Sequence, residues 1–400
     1  GKQRSMHISL ITPAKKQSRA GNRTTAVRWA RIFRDLGHRV AVSVDYEGQP
    51  ADLMVALHAW RSAASIQVFR TRYPDRPLLL ALTGTDIYRF LASDPETTLR
   101  SMETADALVG LHDRVGEAIP ERFGDRLEVI HQSALPLSRA RSPSRRHFDI
   151  CVIGHLRDEK DPLRTALAAR ALPAASRLRV IQLGKAHDQD WAARARAEMA
   201  RNPRYLWRGD VPGWVVRKEF VKTRLMVLSS VMEGGANVIS EAVVAGVPVV
   251  ASDIPGSVGL LGEDYPGYYP AGDTAALTAL LSRAETNVED LLPHVRAPTL
   301  VLHANRDGVT PFEEGRLLAK RIPGAQFVEL ESRNHILQRD EPAWERFKEA
   351  VLEFAIGERK HSLPDLTRRE IEVLRGICQA ESNKAIANRL GMSEKTVRNH

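Results

Sequence analysis

The sequence contains few cysteines and no long apolar segment, and each absence excludes a class of protein. Its 400 residues include only 2 Cys, Cys151 and Cys378, which is too few for a disulfide framework or a cysteine-based metal cluster. The longest apolar runs, such as LLLALT, are far shorter than the about 18 to 20 residues of a membrane-spanning helix. No charged-then-apolar leader precedes the first predicted strand. We therefore expect a cytoplasmic protein with no membrane partner.

The composition is that of a folded protein with more than one domain. Apolar residues make up 43% and charged residues 27% of the 400 residues, without a low-complexity block. The net charge is +9, and the excess lies in residues 1–283, with 40 Lys and Arg against 30 Asp and Glu. This distribution favours an anionic small molecule as ligand of the first part of the chain. A solvated basic surface is the alternative explanation.

Two α/β domains are predicted from the order of apolar runs and helical patterns. A strand over 7–12 is followed by a loop and a helical pattern over 24–36, and such units repeat along the chain. The polar, proline-bearing stretch 136–147 predicts an interdomain linker. We expect two doubly wound domains, 1–138 and 147–285, which bind ligands at the carboxyl ends of their strands. The strands predicted for the first domain are 7–12, 39–44, 51–57, 77–83, 107–111 and 127–132.

The segment EGGANVISE combines two acids, a glycine pair and a predicted helix start. Gly234 and Gly235 follow Glu233 and lack a Cβ, so backbone amides can approach a ligand there. Asn237 is predicted to cap the helix, and Glu241 lies one turn further on the same face. A carboxylate in this place can accept both hydroxyls of a ribose, while the helix N-terminus suits a diphosphate. The alternative is a chance E-x7-E spacing on a solvated helix surface.

Two cations follow the strand that is predicted to open the second domain. Lys160 and Arg157 lie just after ICVIG, where they would stabilise negative charge on a departing nucleoside diphosphate. The D-x-D spelling of Asp188 to Asp190 matches a metal-binding pattern, but it precedes a helical run and is predicted to be an N-cap. No metal site is expected.

These motifs carry a resemblance to a known family. The E-x7-E pattern followed by A-x-x-x-G-x-P-V-V-A-S, with GHLRDEKDP upstream, resembles retaining GT-B glycosyltransferases that use nucleotide sugars. Within that group the similarity is to selenosugar synthases of selenoneine biosynthesis, and it covers about residues 6–285. It is carried by ISLITP, RAGNRTTAVRWAR, LGHRV, ALTGTD, FDICVIGHLRDEKDPLR, EMARNPRY, SSVMEGGANVISEA and SDIPGSVGLLGEDYPGY.

The resemblance implies two Rossmann-like domains in a GT-B arrangement and a hexosyltransferase that needs neither cofactor nor metal. Its expected partners are a UDP-sugar, either UDP-N-acetylglucosamine or UDP-glucose, and selenophosphate, whose selenium is joined to the anomeric carbon. Glu241 would hold the ribose and Lys160 the diphosphate. The broader family usually has arginine at the position of His155, so neutralisation of the phosphates is assigned to Arg157 and Lys160.

The remaining roles that the resemblance implies concern the sugar, the phosphates and the acceptor. Gly21 and Asn22 would form a loop that faces the phosphates. Glu233 would contact the sugar or the reacting centre, and Asp86 in TGTD the donor sugar or the acceptor. The expected catalytic residues are thus Glu233 and Asp86, and the expected donor-binding residues are Gly21, Asn22, Gly154, Arg157, Lys160, Gly234, Gly235, Asn237 and Glu241.

Residues 291–357 resemble the last part of α/β-hydrolases, with Asp307 and His335 at the positions of an acid and a histidine. The nucleophile motif G-x-S-x-G is absent from all 400 residues, so hydrolysis is not expected. A unit with so few strands is expected to pack against another part of the protein.

Residues 363–400 resemble a LuxR-type helix-turn-helix whose recognition helix ends early at His400. The residues expected to face duplex DNA are Lys395, Thr396, Arg398 and Asn399. The missing final helix is expected to weaken or abolish DNA binding. The alternative function is therefore a LuxR-type transcription regulator whose upstream domains sense a ligand, and the sequence is compatible with either a natural fusion or a chimera.

Overall fold

The protein is described by a computed structural model that covers residues 5–16, 21–288, 299–322, 324–335, 337–338 and 340–362. These residues divide into two compact units, one formed by residues 5–288 with 320–322 and the other by the remaining described residues after 298. Each unit is described separately. The predicted helix-turn-helix, with Lys395, Thr396, Arg398 and Asn399, lies outside the described residues.

The first domain is built on a six-stranded parallel sheet with the order β2-β1-β3-β4-β5-β6. All five residues of Leu53–Leu57 are buried and belong to a central strand, whereas Arg39–Ser43 is half-exposed at the edge. The six strands predicted from the sequence are confirmed, with ends that agree or differ by up to three residues. They are β1 (His7–Ile11), β2 (Arg39–Ser43), β3 (Leu53–Leu57), β4 (Leu78–Leu82), β5 (Ala107–Gly110) and β6 (Leu127–Val129).

Helices cover this sheet, and their buried sides supply its core with apolar side chains such as Ile66, Phe69 and Met102. The first helix begins at Gly21, three residues before the predicted start, and ends before Gly37, whose φ is +91°. The helices are α1 (Gly21–Asp35), α2 (Ala63–Arg72), α3 (Leu91–Ser93) and α4 (Pro95–Thr104), with a π-helical turn at Asp86–Phe90 and 3-10 segments at Val115–Ala118 and Glu121–Arg126.

The second domain has a parallel sheet with the order β12-β11-β10-β7-β8-β9. The chain direction of the winding reverses between β7 and β10, so the loops after these two strands diverge and leave a crevice at the carboxyl edge. The strands are β7 (Phe148–Ile153), β8 (Leu178–Leu183), β9 (Tyr205–Trp207), β10 (Leu225–Leu228), β11 (Val249–Ser252) and β12 (Tyr268–Tyr269). The two Rossmann-like domains expected from the sequence are thus both present.

The helices of the second domain bury both faces of its sheet. Asp188 caps the second of them by accepting a hydrogen bond from the Trp191 amide at 2.9 Å, as predicted for D-x-D. Burial raises the pKa of Cys151 to about 12, so this thiol is inert. The helices are α5 (Arg164–Arg170), α6 (Gln189–Arg201), α7 (Gly213–Lys222), α8 (Asn237–Val244), α9 (Pro255–Leu261) and α10 (Thr274–Thr286), with a 3-10 turn at Asp158–Lys160.

The segment between the two sheets, residues 130–147, contains no helix or strand. Its second half is nevertheless fixed to the second domain by Arg141. The guanidinium of Arg141 donates hydrogen bonds to the carbonyl oxygens of Phe220, Thr223 and Gly246. The linker is therefore attached to the second domain before that domain's first strand begins.

The other unit contains a two-stranded parallel sheet and two helices. They are β13 (Leu300–Ala304), α11 (Phe312–Arg321), β14 (Gln326–Leu330) and α12 (Pro342–Ser362). Asp307 and His335 lie together, with 2.7 Å between Oδ2 and Nδ1, and Asp307 also accepts hydrogen bonds from the amides of Val309 and Thr310. The resemblance of this unit to α/β-hydrolases stays a prediction.

Candidate functional site

The candidate site lies at the carboxyl edge of the second sheet, where the loops after β7 and β10 diverge. A narrow cavity opens there. Its lining includes Gly154, His155, Lys160, Gln182, Ser229 and Ser230. The crevice at this reversal is where open parallel sheets bind their ligands.

Hydrogen bonds hold the loops after β7 and β10 against each other. The Ser229 hydroxyl lies 3.0 Å from the carbonyl oxygen of Lys160 and 2.9 Å from that of Asp161, and it can donate to either. The Val231 amide donates to the carbonyl oxygen of Glu159 at 2.9 Å. The acceptors of these hydrogen bonds are backbone carbonyl oxygens, so substitution of Glu159 or Lys160 would leave the backbone on both sides of the cavity fixed.

Two residues predicted for the site, Lys160 and Glu233, form an ion pair. The Lys160 ammonium contacts Oε1 of Glu233, and the Ser230 hydroxyl donates to the same oxygen at 2.6 Å. Glu233 is only 9% exposed and Lys160 22%. A donor phosphate that approaches Lys160 must therefore share its ammonium with Glu233 or displace that carboxylate.

Further cations surround Lys160 and keep His155 uncharged. Burial lowers the pKa of His155, and the positive charges of Arg157, Lys160 and Lys185 lower it further, while Asp210 opposes them. Near neutral pH the imidazole is consequently neutral and can only offer hydrogen bonds. The positive charge at this edge comes from Arg157, Lys160 and Lys185.

The glycine pair of EGGANVISE lies against the first domain. A methyl group added at Gly234 would meet the backbone of Thr83 and Gly84 closer than the 3.0 Å limit of real Cβ contacts, and one added at Gly84 would lie 2.8 Å from the Gly234 amide nitrogen. Gly235 faces Leu111 in the same way, with φ at +124°. The approach of a ligand to these glycines stays a prediction, and the structure shows that the first domain fills the space that a side chain would need.

Asn237 does not cap α8, so this prediction was wrong. Helix α8 begins at Asn237, the N-cap position is Ala236, and no side chain caps the helix. The Asn237 amide instead donates to the Thr25 hydroxyl at 3.1 Å and the Gly21 carbonyl at 3.3 Å, and its oxygen accepts from Arg28 at 2.6 Å. The Asn237 side chain, which the local sequence predicts as the helix cap, is thus hydrogen-bonded to residues of α1 in the first domain.

Glu241 also faces Arg28, with 3.6 Å between Oε1 and Nη2. Burial raises the pKa of Glu241, while Arg28 and Arg217 act in the opposite direction. Glu241 and Asn237 thus share a helix face, as predicted, and both meet α1, which Gly21 and Asn22 begin. Arg28 is a site residue that the sequence analysis missed, because nothing local distinguishes it from the other arginines of this helix.

Asp86 is completely buried and has no exposed oxygen with which to contact a substrate. Its carboxylate accepts hydrogen bonds from four backbone amides, those of Ala59, Thr83, Gly84 and Ile87, at 2.8 to 3.2 Å. The expected contact of Asp86 with donor sugar or acceptor is not supported by this placement. We assign it a positioning role, because it fixes the Thr83–Gly84 backbone against which Gly234 packs.

Replacing Asp86 with asparagine is expected to lower the free energy of unfolding by about 2 to 4 kcal/mol. The asparagine NH2 group, a hydrogen-bond donor, would replace a carboxylate oxygen that accepts hydrogen bonds from backbone N–H groups. Urea denaturation of the Asp86→Asn protein would measure this. The exposed Asp125→Asn serves as control and should change stability by less than about 0.5 kcal/mol. Equal stability of the two variants would contradict the positioning role.

A carboxylate of the second domain, Glu159, lies between an arginine of each domain. Its Oε2 is 3.5 Å from Nη2 of Arg89, which belongs to the π-helical turn after β4, and its Oε1 is 3.4 Å from Nε of Arg157. The sequence analysis missed Arg89 and Glu159, although Glu159 directly precedes Lys160. Only the approach of the two domains brings these three side chains together.

Metal ligands do not cluster in the part of the chain that the structure describes: it contains no group of three or more His, Cys, Asp and Glu side chains arranged to hold an ion. In the same residues, no helix combines the length and apolarity that crossing a bilayer requires.

Comparisons with known proteins agree with this fold. Residues 147–287 match the family model of glycosyl transferases group 1, and residues 364–400 match that of bacterial regulatory proteins of the luxR family. No curated protein matches the chain.

Solved structures with the same fold have low sequence identity to this chain. HepE from Anabaena, solved in complex with UDP and glucose, has a TM-score of 0.58 and 17% identity, over 72% of this chain and 91% of that chain. Sucrose-phosphate synthase from Thermosynechococcus elongatus has a TM-score of 0.57 and 15% identity, over 71% and 90%. A glycosyltransferase from Rickettsia africae has a TM-score of 0.54 and 12% identity, over 72% and 89%.

The two parallel sheets with a crevice at the carboxyl edge define the GT-B class of fold. Residues 147–287 of the second domain match the glycosyl transferases group 1 model, and this match together with the fold indicates a glycosyltransferase. Residues 364–400 form the match to the luxR family.

Proposed function

We propose that this glycosyltransferase transfers a hexose from a UDP-sugar to selenophosphate. The observation that carries the donor assignment is the cationic edge at the winding reversal of the second sheet, where Lys160 and Arg157 accompany the carboxylate of Glu233. Support for UDP comes from HepE, which shares the fold and was solved in complex with UDP and with UDP-glucose. UDP-N-acetylglucosamine and UDP-glucose are the donors we would test.

In this proposal the charged residues act on the departing diphosphate. Lys160 and Arg157 stabilise the negative charge that grows on the diphosphate as the bond to the anomeric carbon breaks. Before the donor binds, Glu233 orients the Lys160 ammonium, and it contacts the sugar once the phosphates have taken its place at Lys160. Glu241, held beside Arg28, accepts the ribose hydroxyls.

The acceptor assignment rests on the resemblance to selenosugar synthases and on the positive charge of the cleft. Selenium of selenophosphate attacks the anomeric carbon, so that a carbon–selenium bond forms while the carbon–oxygen bond to UDP breaks. Gly21, Asn22 and Gly154 are proposed to line the donor phosphates. No cofactor takes part in this proposal, and a cytoplasmic location stays a prediction.

The test is mass spectrometry of products after incubation of the full chain with a UDP-sugar and selenophosphate. We expect UDP and a selenium-bearing sugar from the unchanged protein and a loss of at least about tenfold in rate for Glu241→Ala, because the ribose loses charge-assisted hydrogen bonds. Formation of UDP and free sugar without selenium would contradict the acceptor but not the donor. Absence of both products and of UDP binding would refute the proposed function.

A second function, DNA binding, is favoured by the match of residues 364–400 to the luxR family. In this case the upstream domains would bind a UDP-sugar without turnover. Binding of duplex DNA that weakens with salt and disappears on deletion of residues 361–400 would support it.

A further inference from the structure

Glu159 lies between the two domains beside two arginines, and it forms a short hydrogen bond with neither of them. Its side chain is only 11% exposed. The distances from its oxygens to Arg89 (3.5 Å) and Arg157 (3.4 Å) exceed the about 2.7 to 2.9 Å of charge-assisted hydrogen bonds. The Nε atom of Arg157 is buried and has no hydrogen-bond partner. A buried guanidinium nitrogen in this state carries a desolvation cost that a better placed oxygen would relieve.

Positive charge exceeds negative charge around this carboxylate. Burial raises the pKa of Glu159, but a backbone hydrogen bond and the charges of Arg157, Arg89 and Lys160 outweigh this, so its pKa lies below the ordinary value. Glu159 is therefore ionised at neutral pH. Arg89 and Arg157 share this one carboxylate, whereas Lys160 is already paired with Glu233.

A histidine of the first domain, His58, is neutral. Burial lowers the pKa of His58, and the positive charges of Arg61 and Arg157 lower it further. Asp86 raises the pKa of His58, but its oxygens are occupied by backbone amides. The Arg61 amide donates to Nδ1 of His58 and the Thr85 hydroxyl lies 2.8 Å from Nε2, so the imidazole is neutral and fixed.

We propose that Arg89 and Arg157 form an oxyanion subsite for the acceptor, and that Glu159 occupies this subsite as an internal competitor until an anionic acceptor displaces its carboxylate. This inference rests on the proposed function and adds to it the place and chemical class of the acceptor. A tetrahedral oxyanion presents more oxygens than a carboxylate and can satisfy both guanidiniums. Since each domain supplies one arginine, the acceptor would bind only when the domains are together.

In this proposal Glu159 competes with free anions for the two arginines, and this competition lowers the apparent affinity of the protein for those anions. The apparent dissociation constant equals the intrinsic one divided by the fraction of molecules in which Glu159 has left the arginines. We expect Glu159→Gln to bind orthophosphate at least about tenfold more tightly than the unchanged protein, a coupling of ordinary size. The measurement is isothermal titration calorimetry of the full chain with orthophosphate, without nucleotide.

A matched control removes a carboxylate from an exposed ion pair between a glutamate and an arginine of the first domain. Glu103 is 55% exposed and pairs with Arg122 at 2.9 Å on the surface, so Glu103→Gln changes the net charge equally and should leave phosphate affinity unchanged. Arg89→Gln combined with Glu159→Gln should abolish the gain. Glu159→Ala is the second variant if the glutamine disturbs folding.

Equal affinity of the unchanged protein and both Glu159 variants for orthophosphate would overturn the proposal, and so would a gain that survives Arg89→Gln. Arg157 also faces the donor diphosphate in the proposed function, so the dependence of the gain on Arg89 is what separates the oxyanion subsite from the donor site. UDP titration is a separate arm: no UDP binding would refute the proposed function, whereas UDP binding without the Glu159 effect would refute only the oxyanion subsite.

Discussion

Replacing Lys160 with methionine is expected to lower kcat by about 10²- to 10³-fold, the usual loss when one group that stabilises transition-state charge is removed. Methionine keeps the length and apolar stem of the side chain but removes the ammonium that contacts Glu233. The negative charge on the departing diphosphate then builds up with one cation fewer beside it. The rate of UDP release from the UDP-sugar at saturating substrate measures this.

Lys185→Met is the matched control for Lys160→Met. Lys185 is exposed on the loop after β8 and contributes to the same positive field around His155, but it does not contact Glu233 among the described ion pairs. Its removal should change kcat by less than about threefold, as expected of a screened surface charge. If both methionine variants lost the same activity, the role of Lys160 would be reduced to its contribution to net charge.

Folding must be separated from catalysis in this experiment, because removal of Lys160 leaves a buried carboxylate at Glu233. Thermal unfolding of Lys160→Met should therefore be compared with that of Lys160→Met combined with Glu233→Gln, which removes the unpaired charge. Glu233→Gln alone measures what the loss of this carboxylate costs, and a further kcat loss in the double variant, with stability restored, belongs to Lys160. A double variant that is no slower than Glu233→Gln alone would contradict the role assigned to Lys160.

Replacing Gly234 with alanine is the second change with a large expected effect. The added methyl group would run into the backbone of Thr83 and Gly84, closer than side-chain carbons approach other atoms in real structures. Because backbone cannot turn away as a side chain can, the domains must separate by a fraction of an ångström or more. A displacement of about 1 Å at a reacting centre can cost about 10²-fold in rate, and we expect a loss of this order.

Gly213→Ala is the control for Gly234→Ala. Gly213 begins α7, its φ is not positive, and no atom lies within 4 Å of the position of an added methyl group. Activity should be unchanged there. Small-angle X-ray scattering should show a larger radius of gyration for Gly234→Ala than for Gly213→Ala, and activity of Gly234→Ala within about threefold of the control would show that this contact is not needed for catalysis.

The strands could be predicted from sequence because each is a short apolar run bounded by polar or glycine-rich segments. Leu53–Leu57 and Leu78–Leu82 are examples of runs that are apolar throughout, and both lie in the middle of the first sheet. Some strand ends differ from the predicted ones because loop residues that follow a strand continue its apolar pattern. The order of the strands, which sets the position of the crevice, became visible only in the structure.

The site was predictable where its residues lie close in sequence and unpredictable where the domains meet. Lys160 and Glu233 were recognised by motif, and the structure brings them into contact. Arg28 and Asn237, separated by 209 positions, could not be paired from sequence. The cap prediction for Asn237 failed for the same reason: local propensity favoured the helix start, but a distant arginine provided a stronger hydrogen bond.

The attachment of Arg141 to three carbonyl oxygens has a consequence for where the second domain can be cut from the first. A fragment that begins at the first strand, Phe148, would lose the three hydrogen bonds that Arg141 donates to the carbonyl oxygens of Phe220, Thr223 and Gly246. The second domain with all of these contacts therefore starts upstream of Arg141, inside the predicted linker. Domain exchange between related enzymes should place its junction before this arginine.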